Sequence, residues 1–264
     1  NRVKGCIPIY SDLTNFFNSF SNYTKKNKLK FTLPKSWLNS INDLKIKWTD
    51  VRELSPIGIN PNVLMHQLSA ASKNAFAYIA DVGSHQMWAA QSLQLESDQL
   101  FITSGGMGSM GFSLPGGIGA SIANYNKPVV VIVGDGSMQL NIQELQTIVR
   151  NKLPIKIVVM NNQTLGMIRQ FQDSYFQSRY QSTYWGYDVP DFEKIAKAYC
   201  IDAMTINEPL QVENAVNWLW NNENKPQLLQ VMIDPHTNTY PKIAFGRPIT
   251  DMEPFVKPIE MEGT

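Results

Sequence analysis

The sequence predicts an α/β fold, a parallel sheet with helices on both faces. Three observations predict it. Short apolar segments, such as residues 129–133 and 155–160, alternate with segments of helical spacing about ten residues long. The central strand segments are apolar at successive positions rather than every second one, the pattern of strands covered on both faces. A chain of 264 residues with 43% hydrophobic and 17% charged residues is too apolar for disorder, and it is long enough to bury a full core without disulfide or metal staples.

Taken in order, residues 1–56 differ from the remainder of the chain. Lys25, Lys26, Lys28 and Lys30 crowd a polar, glycine-poor stretch. Residues 5–10 are of strand type and 13–20 of helix type. This part reads as the end of a preceding unit and a linker. Residues 57–240 form one regular unit, and 241–264 a tail. Residues 61–72 predict a helix, with Asn60 or Asn62 as its cap. Residues 76–82 and 100–103 predict strands, and 112–125 a helix. Residues 129–133 are β-branched throughout and predict a strand, as do 155–160. Between those two, Ile142, Leu145, Ile148 and Val149 repeat at helical spacing. Helices over 192–199 and 210–220 and a strand over 228–233 complete the series.

Composition narrows the function classes. The net charge of +1 gives no reason to expect nucleic acid or an acidic membrane surface as partner. No apolar run is long enough to span a bilayer, and no signal-peptide pattern is visible. Cys6 and Cys200 make no disulfide framework, so a reducing, cytoplasmic compartment is expected. With His66, His85 and His236 they show no zinc-site spacing.

In a parallel sheet, ligands bind at the carboxyl ends of the strands. The loop after residues 129–133 reads Gly134, Asp135, Gly136, Ser137. Asn161 and Asn162 come after Gly136 with 24 residues between, closing the next strand segment. This puts a carboxylate and an amide oxygen side by side. Both are hard ligands that suit Mg²⁺ or Ca²⁺, and a Mg²⁺ with few protein ligands completes its octahedron with phosphate oxygens and water. Gly136 lets backbone N–H groups approach a phosphate, and Ser137 adds a hydroxyl at a helix start. Either dipeptide alone reads as a turn or loop; together, each after an apolar strand, they read as a metal–diphosphate site. A competing motif is the Gly-x-Gly-x-x-Gly pattern of Gly106, Gly108 and Gly111. It would make the chain an NAD-binding dehydrogenase. Its acid, Asp135, lies 29 residues beyond Gly106, where that fingerprint expects about 20.

Gly134-Asp135-Gly136-Ser137 with the Asn161-Asn162 pair resembles the binding motif of thiamine diphosphate enzymes. Residues 82–91, 103–115, 141–145 and 161–170 resemble, within that family, the large subunit of acetolactate (acetohydroxyacid) synthase. The resemblance covers about residues 57–240. It implies that Asp135, Asn162 and the carbonyl of Thr164 hold Mg²⁺. It implies that Gly134, Gly136, Ser137, Gly166 and Met167 meet the diphosphate, with Ser84 and His85 nearby. Gly108 and Met110 would meet the aminopyrimidine, Met110 as the bulky side chain under a bent cofactor. For Met110 and His85 the plainer alternatives are core packing and a structural hydrogen bond. Ser84 stands where the family commonly has Gln. Phe171 stands where it commonly has Trp shaping the pocket for a second keto acid. The implied activity is decarboxylation of a 2-keto acid, pyruvate first, and transfer of the two-carbon unit to a second carbonyl compound. The acceptor is a keto acid, an aldehyde, a sugar or a thioester. The implied assembly is a homo-oligomer. The family's activating glutamate lies in an N-terminal domain of the neighbouring subunit, and FAD, where held, in a central domain. Residues 1–20 resemble the end of that central domain; the N-terminal domain and most of the central one are not in this sequence, so these residues are expected to fold but not to catalyse alone.

Overall fold

The molecule, a computed structural model, is described for residues 5–47, 49–51 and 56–259. Two helices come first, α1 (Leu13–Lys26) and α2 (Lys35–Lys47), and neither buries a side chain. Asp12 caps α1 by accepting from the Thr14 and Asn15 N–H groups. Residues 5–10, expected as a strand, form none: Ile7 and Tyr10 are 87% and 97% exposed, and a run of strand type with no neighbouring strand has nowhere to place its backbone donors.

The sheet begins after α3 (Pro61–Ala71), whose cap is Asn60, accepting from Asn62 and Val63 with Pro61 at the first helical turn. The next elements are β1 (Ala77–Ala80), α4 (Ser84–Ser92), β2 (Leu100–Thr103), α5 (Ser113–Ala123), β3 (Val129–Gly134) and α6 (Asp135–Leu140). A 3-10 turn leads into α7 (Leu145–Arg150), then β4 (Ile155–Asn161) and α8 (Gly166–Tyr175). After these come α9 (Phe192–Ala198), β5 (Asp202–Ile206), α10 (Val212–Leu219) and β6 (Gln227–Met232). A small antiparallel pair, β7 (Lys242–Ile243) and β8 (Met252–Glu253), lies in the tail.

The six main strands are all parallel, in the order β2-β1-β3-β4-β6-β5. Side chains along each strand alternate between the faces. Tyr78, Ala80, Val130, Ile132, Val158 and Met160 enter one core, which includes residues of α3, α4 and α10. Ala77, Ile79, Val129, Val131, Ile155 and Ile157 enter the other, which includes residues of α5, α7 and α9. Both faces are therefore dry, which accounts for the unbroken apolar runs. Gly117 brings α5 close to the sheet: a Cβ there would stand 2.4 Å from Val131 Cγ2.

The chain leaves β1 toward β2 on one side and returns to place β3 on the other. The order reverses at β1, and the crevice outside the carboxyl ends of β1 and β3 is where such a fold receives a ligand. Gly134 pairs with Met160, so Asp135 and Asn162 leave neighbouring strand ends.

Candidate functional site

At that crevice lies a cleft of about 230 Å³. From the end of β1 it takes Ser84 and His85, and from the end of β3 Gly134, Asp135, Gly136 and Ser137. From the end of β4 and the start of α8 it takes Asn162, Thr164, Gly166 and Met167. Gly108 and Met110 close one side. The structure thus gathers into one cleft the twelve residues expected to meet cofactor or metal. Phe171 is not among its lining residues. It stands one turn beyond Met167 on α8, 38% exposed, with its ring 4.4 Å from that of Tyr175.

Helices α4, α6 and α8 all begin here, and none has a side-chain cap; their N-cap positions are Gly83, Gly134 and Leu165. The Gly136 N–H is taken by Asp135 Oδ1 and the Gly166 N–H by the Thr164 carbonyl; the positive dipole ends of α4 and α8 are left to face an anion. The glycines have local reasons. Gly83 has φ 154°, and a Cβ there would stand 2.7 Å from His85 Cε1. At Gly166 a Cβ would meet Asn162 Nδ2 at 2.5 Å and Ser84 Oγ at 2.9 Å. At Gly136 it would meet the Tyr187 hydroxyl at 2.8 Å and Met110 Cε at 3.4 Å.

Asp135 is the only carboxylate among the described residues that line the cleft. Its Oδ1 accepts from the Gly136 N–H at 2.7 Å and from the Tyr187 hydroxyl at 3.1 Å. Its Oδ2 is buried without a hydrogen-bond partner. Burial pushes this carboxyl up to about 6; the Gly136 N–H, the Tyr187 hydroxyl and the backbone N–H groups of Gln163 and Thr164 pull the other way. Such a group lacks a positive partner. Among the described residues no three His, Cys, Asp or Glu side chains come together. An ion here would take one carboxylate oxygen, the Asn162 amide and backbone oxygen, and fill its shell from phosphate and water, which is how Mg²⁺ is commonly held. The residues present fit that group.

His85 is buried, and desolvation brings it down to about 4, against the carboxylate and backbone carbonyl of Asp81. It is therefore neutral at pH 7, and its Nε2 has no partner. The Ser84 hydroxyl is likewise buried and unpartnered. Ser137 donates to the Val82 carbonyl at 3.3 Å. The Asn pair divides its work. Asn162 lines the cleft, whereas Asn161 accepts from the Gln163 N–H at 3.1 Å and so holds the turn in which Gln163 takes φ 52°. The Thr164 carbonyl accepts from the Gly166 N–H at 2.9 Å.

Sequence reasoning missed two residues here. Asp81 is fully buried; its Oδ1 accepts from Gly111 N–H at 2.9 Å and its Oδ2 from Ser113 N–H at 2.7 Å. It thereby caps α5. A dinucleotide would need that helix N-terminus for its diphosphate, and a carboxylate already occupies it, while a Cβ at Gly106 would meet nothing within 4 Å. An acid closing a strand segment was the available signal. Tyr187, on the long loop after α8, carried no sequence signal at all.

Comparison with known proteins agrees with this geometry. Residues 81–231 match the family model of the thiamine pyrophosphate enzyme, C-terminal TPP binding domain. The chain is 44% identical over 190 residues to the acetolactate synthase isozyme 2 large subunit of Escherichia coli (strain K12), covering 72% of this chain and 34% of that one. It is 34% identical over 261 residues to the acetolactate synthase large subunit of Porphyra purpurea, covering 98% of this chain and 43% of that one. The chain thus spans well under half the length of these relatives. Among solved structures it is similar to the Rhodococcus jostii RHA1 thiamine diphosphate-dependent 4-hydroxybenzoylformate decarboxylase. The TM-score is 0.61 at 24% identity, over 71% of this chain and 35% of that one, a likeness of fold.

Proposed function

This chain belongs to the thiamine pyrophosphate enzymes, with a TPP-binding domain of acetolactate synthase-like kind, and we propose that its cleft holds the diphosphate end of thiamine diphosphate with Mg²⁺. The enzyme it serves decarboxylates a 2-keto acid, pyruvate first, and passes the two-carbon unit to a second carbonyl compound. One observation carries the reading: two uncapped helix N-termini, of α4 and α8, meet at a buried carboxylate with one unpartnered oxygen.

Asp135 Oδ2, the Asn162 side-chain oxygen and the Thr164 carbonyl hold the metal. Gly136, Ser137, Gly166 and Met167 hold the diphosphate, Ser137 and Met167 through backbone N–H groups, with Ser84 adding a hydroxyl. When bound, thiamine diphosphate supplies the electron sink that lets a 2-keto acid lose its carboxylate. Met110, which lines the cleft and reaches to 3.4 Å from the Gly136 Cβ position, would by its bulk limit how a bound cofactor can bend. Neutral His85 offers Nε2 to a polar atom of the ligand without adding charge beside Asp135. Among the described residues no Lys or Arg lines the cleft, so the negative charge of the diphosphate is met by the metal and by backbone dipoles.

The activating glutamate comes from the N-terminal domain of a neighbouring subunit, so the working enzyme is a homo-oligomer and this chain alone does not turn over. FAD is possible in the full-length protein. A cytoplasmic location belongs to the same reading, with Cys6 and Cys200 both free. No helix among the described residues is long and apolar enough to cross a membrane. The test is product analysis of the whole protein given pyruvate with candidate acceptors, alongside calorimetry of thiamine diphosphate with Mg²⁺ or chelator. Carbon dioxide with a carboligated product supports the reading. Failure to bind the cofactor under any metal condition sinks it.

A further inference from the structure

Tyr187 reaches the metal end of the cleft from the loop after α8, away from the strand ends. The Tyr187 hydroxyl donates to Asp135 Oδ1 at 3.1 Å, the same oxygen that accepts the Gly136 N–H. Half-buried and beside the Asp135 carboxylate, the phenol is pushed well above its ordinary range, so it stays a donor. Both of these donors fall on Oδ1; the Gln163 and Thr164 N–H groups are near enough to pull the carboxyl down, but Oδ2 has no hydrogen-bond partner. The hydroxyl also stands 2.8 Å from where a Gly136 Cβ would be, so only glycine at 136 lets it arrive.

The loop is built to hold this position. Thr183 O accepts from the Leu165 N–H at 3.0 Å and from Thr164 Oγ1 at 2.5 Å. Thr183 Oγ1 donates to Gln172 Oε1 at 2.5 Å. Gly186 then turns the chain with φ 77°, in open space. One loop therefore fastens Thr164 at one point and Asp135 at another, and both belong to the proposed metal ligands.

We infer that Tyr187 is a positioning residue that sets metal preference: by engaging Asp135 Oδ1, it leaves Oδ2 alone for the cation and favours Mg²⁺ over Ca²⁺. The inference rests on the metal–diphosphate reading of the cleft. Mg²⁺ takes a strict octahedron at about 2.0–2.1 Å with carboxylates bound through one oxygen, whereas Ca²⁺ accepts six to eight ligands and readily takes both carboxylate oxygens. A carboxylate with one oxygen already committed suits the first ion and handicaps the second. Freed of the phenol, Asp135 has only the Gly136 N–H on Oδ1, and two-oxygen binding becomes accessible.

The experiment measures thiamine diphosphate affinity of the whole protein by calorimetry, in Mg²⁺ and separately in Ca²⁺, with thermal unfolding as a check on folding. The variants are Tyr187→Phe, which keeps the ring, and Gly186→Ala, which strains the turn and shifts the hydroxyl without removing it. Both should lower the Mg²⁺-to-Ca²⁺ affinity ratio, Tyr187→Phe by about three- to tenfold, the scale of one hydrogen bond. A ratio within error of the wild type in Tyr187→Phe, or an equal loss with both ions, would show that Tyr187 merely packs. Metal-independent cofactor binding by the wild type would instead overturn the reading of the cleft, and this inference with it.

Discussion

The His85 imidazole lies directly against Gly134: a Cβ there would stand 2.8 Å from its Cε1 and Nδ1. A methyl group must push the ring out or open β3 from β1. Gly134→Ala should cost about 1–3 kcal/mol of stability, the range of an overpacked site, and weaken thiamine diphosphate binding. Chemical denaturation and calorimetry read the two effects. Unchanged stability would mean that the ring has room to move and is not fixed by the glycine.

His85 and Asp135 oppose each other in acid. His85 is held down at about 4 by burial, so the unfolded chain binds its proton first; stability is lost as pH falls from about 6.5 toward 4. Asp135 is held up at about 6 by burial; its folded form binds the proton first, so stability is gained as pH falls from about 6 toward 4. His85→Gln should therefore make the ligand-free protein more resistant to acid, and Asp135→Asn less. Each effect is on the order of 1–3 kcal/mol across that window. Melting temperature between pH 7.5 and 4.5 tests the signs, and identical profiles for both variants would refute the assignment.

Asp135→Asn also separates folding from binding. At pH 7 it removes a buried, uncompensated charge, so the ligand-free protein should melt higher than wild type. It should lose the stabilisation by Mg²⁺ and thiamine diphosphate, which for the wild type reaches about 2.7 kcal/mol at a hundredfold excess over Kd. A variant that keeps the full ligand-dependent shift would show that the metal sits elsewhere.

These opposed effects arise where the sequence was only half legible. β3 and β4 were readable because both faces are dry, and Asp135 and Asn162 because each closes such a strand. β5 was not: Asp202–Ile206 is an edge strand paired only with β6, and Asp202 and Thr205 break the apolar run. Helix α4 was not legible because it shows no clean stripe: Ser84, His85, Gln86, Trp88, Ala89 and Ser92 are all buried. Tyr187 lies 52 residues from Asp135 on an irregular loop, and no local pattern links them. Residues 5–10 misled because strand propensity is fulfilled only by a neighbouring strand.

Met110 reaches to 3.4 Å from the Gly136 Cβ position and is 38% exposed, so it is not a core residue held on all sides. Truncation to Ala should leave thiamine diphosphate affinity within a fewfold of wild type, since the metal and helix N-termini remain. Turnover of the whole enzyme should fall by about 10²–10⁴, the scale of a misplaced proton-transfer geometry. Parallel losses in affinity and turnover would assign Met110 to binding instead.

Phe171 supplies the last prediction. It lies four residues beyond Met167 on α8 and so shares its face, but its ring packs toward Tyr175 and Phe176, at 4.4 and 5.8 Å, rather than lining the cleft. If α8 presents this face to the second substrate, a larger indole narrows the mouth and adds contact surface. Phe171→Trp should then shift the choice between pyruvate and 2-ketobutyrate as acceptor, toward the longer chain, by about 1–3 kcal/mol, the discrimination one methylene allows. Competition between the two acceptors in the whole protein measures it as a product ratio. An unchanged ratio with unchanged turnover would place Phe171 in the packing of α8 against Tyr175, and the acceptor would then be selected by residues outside this helix.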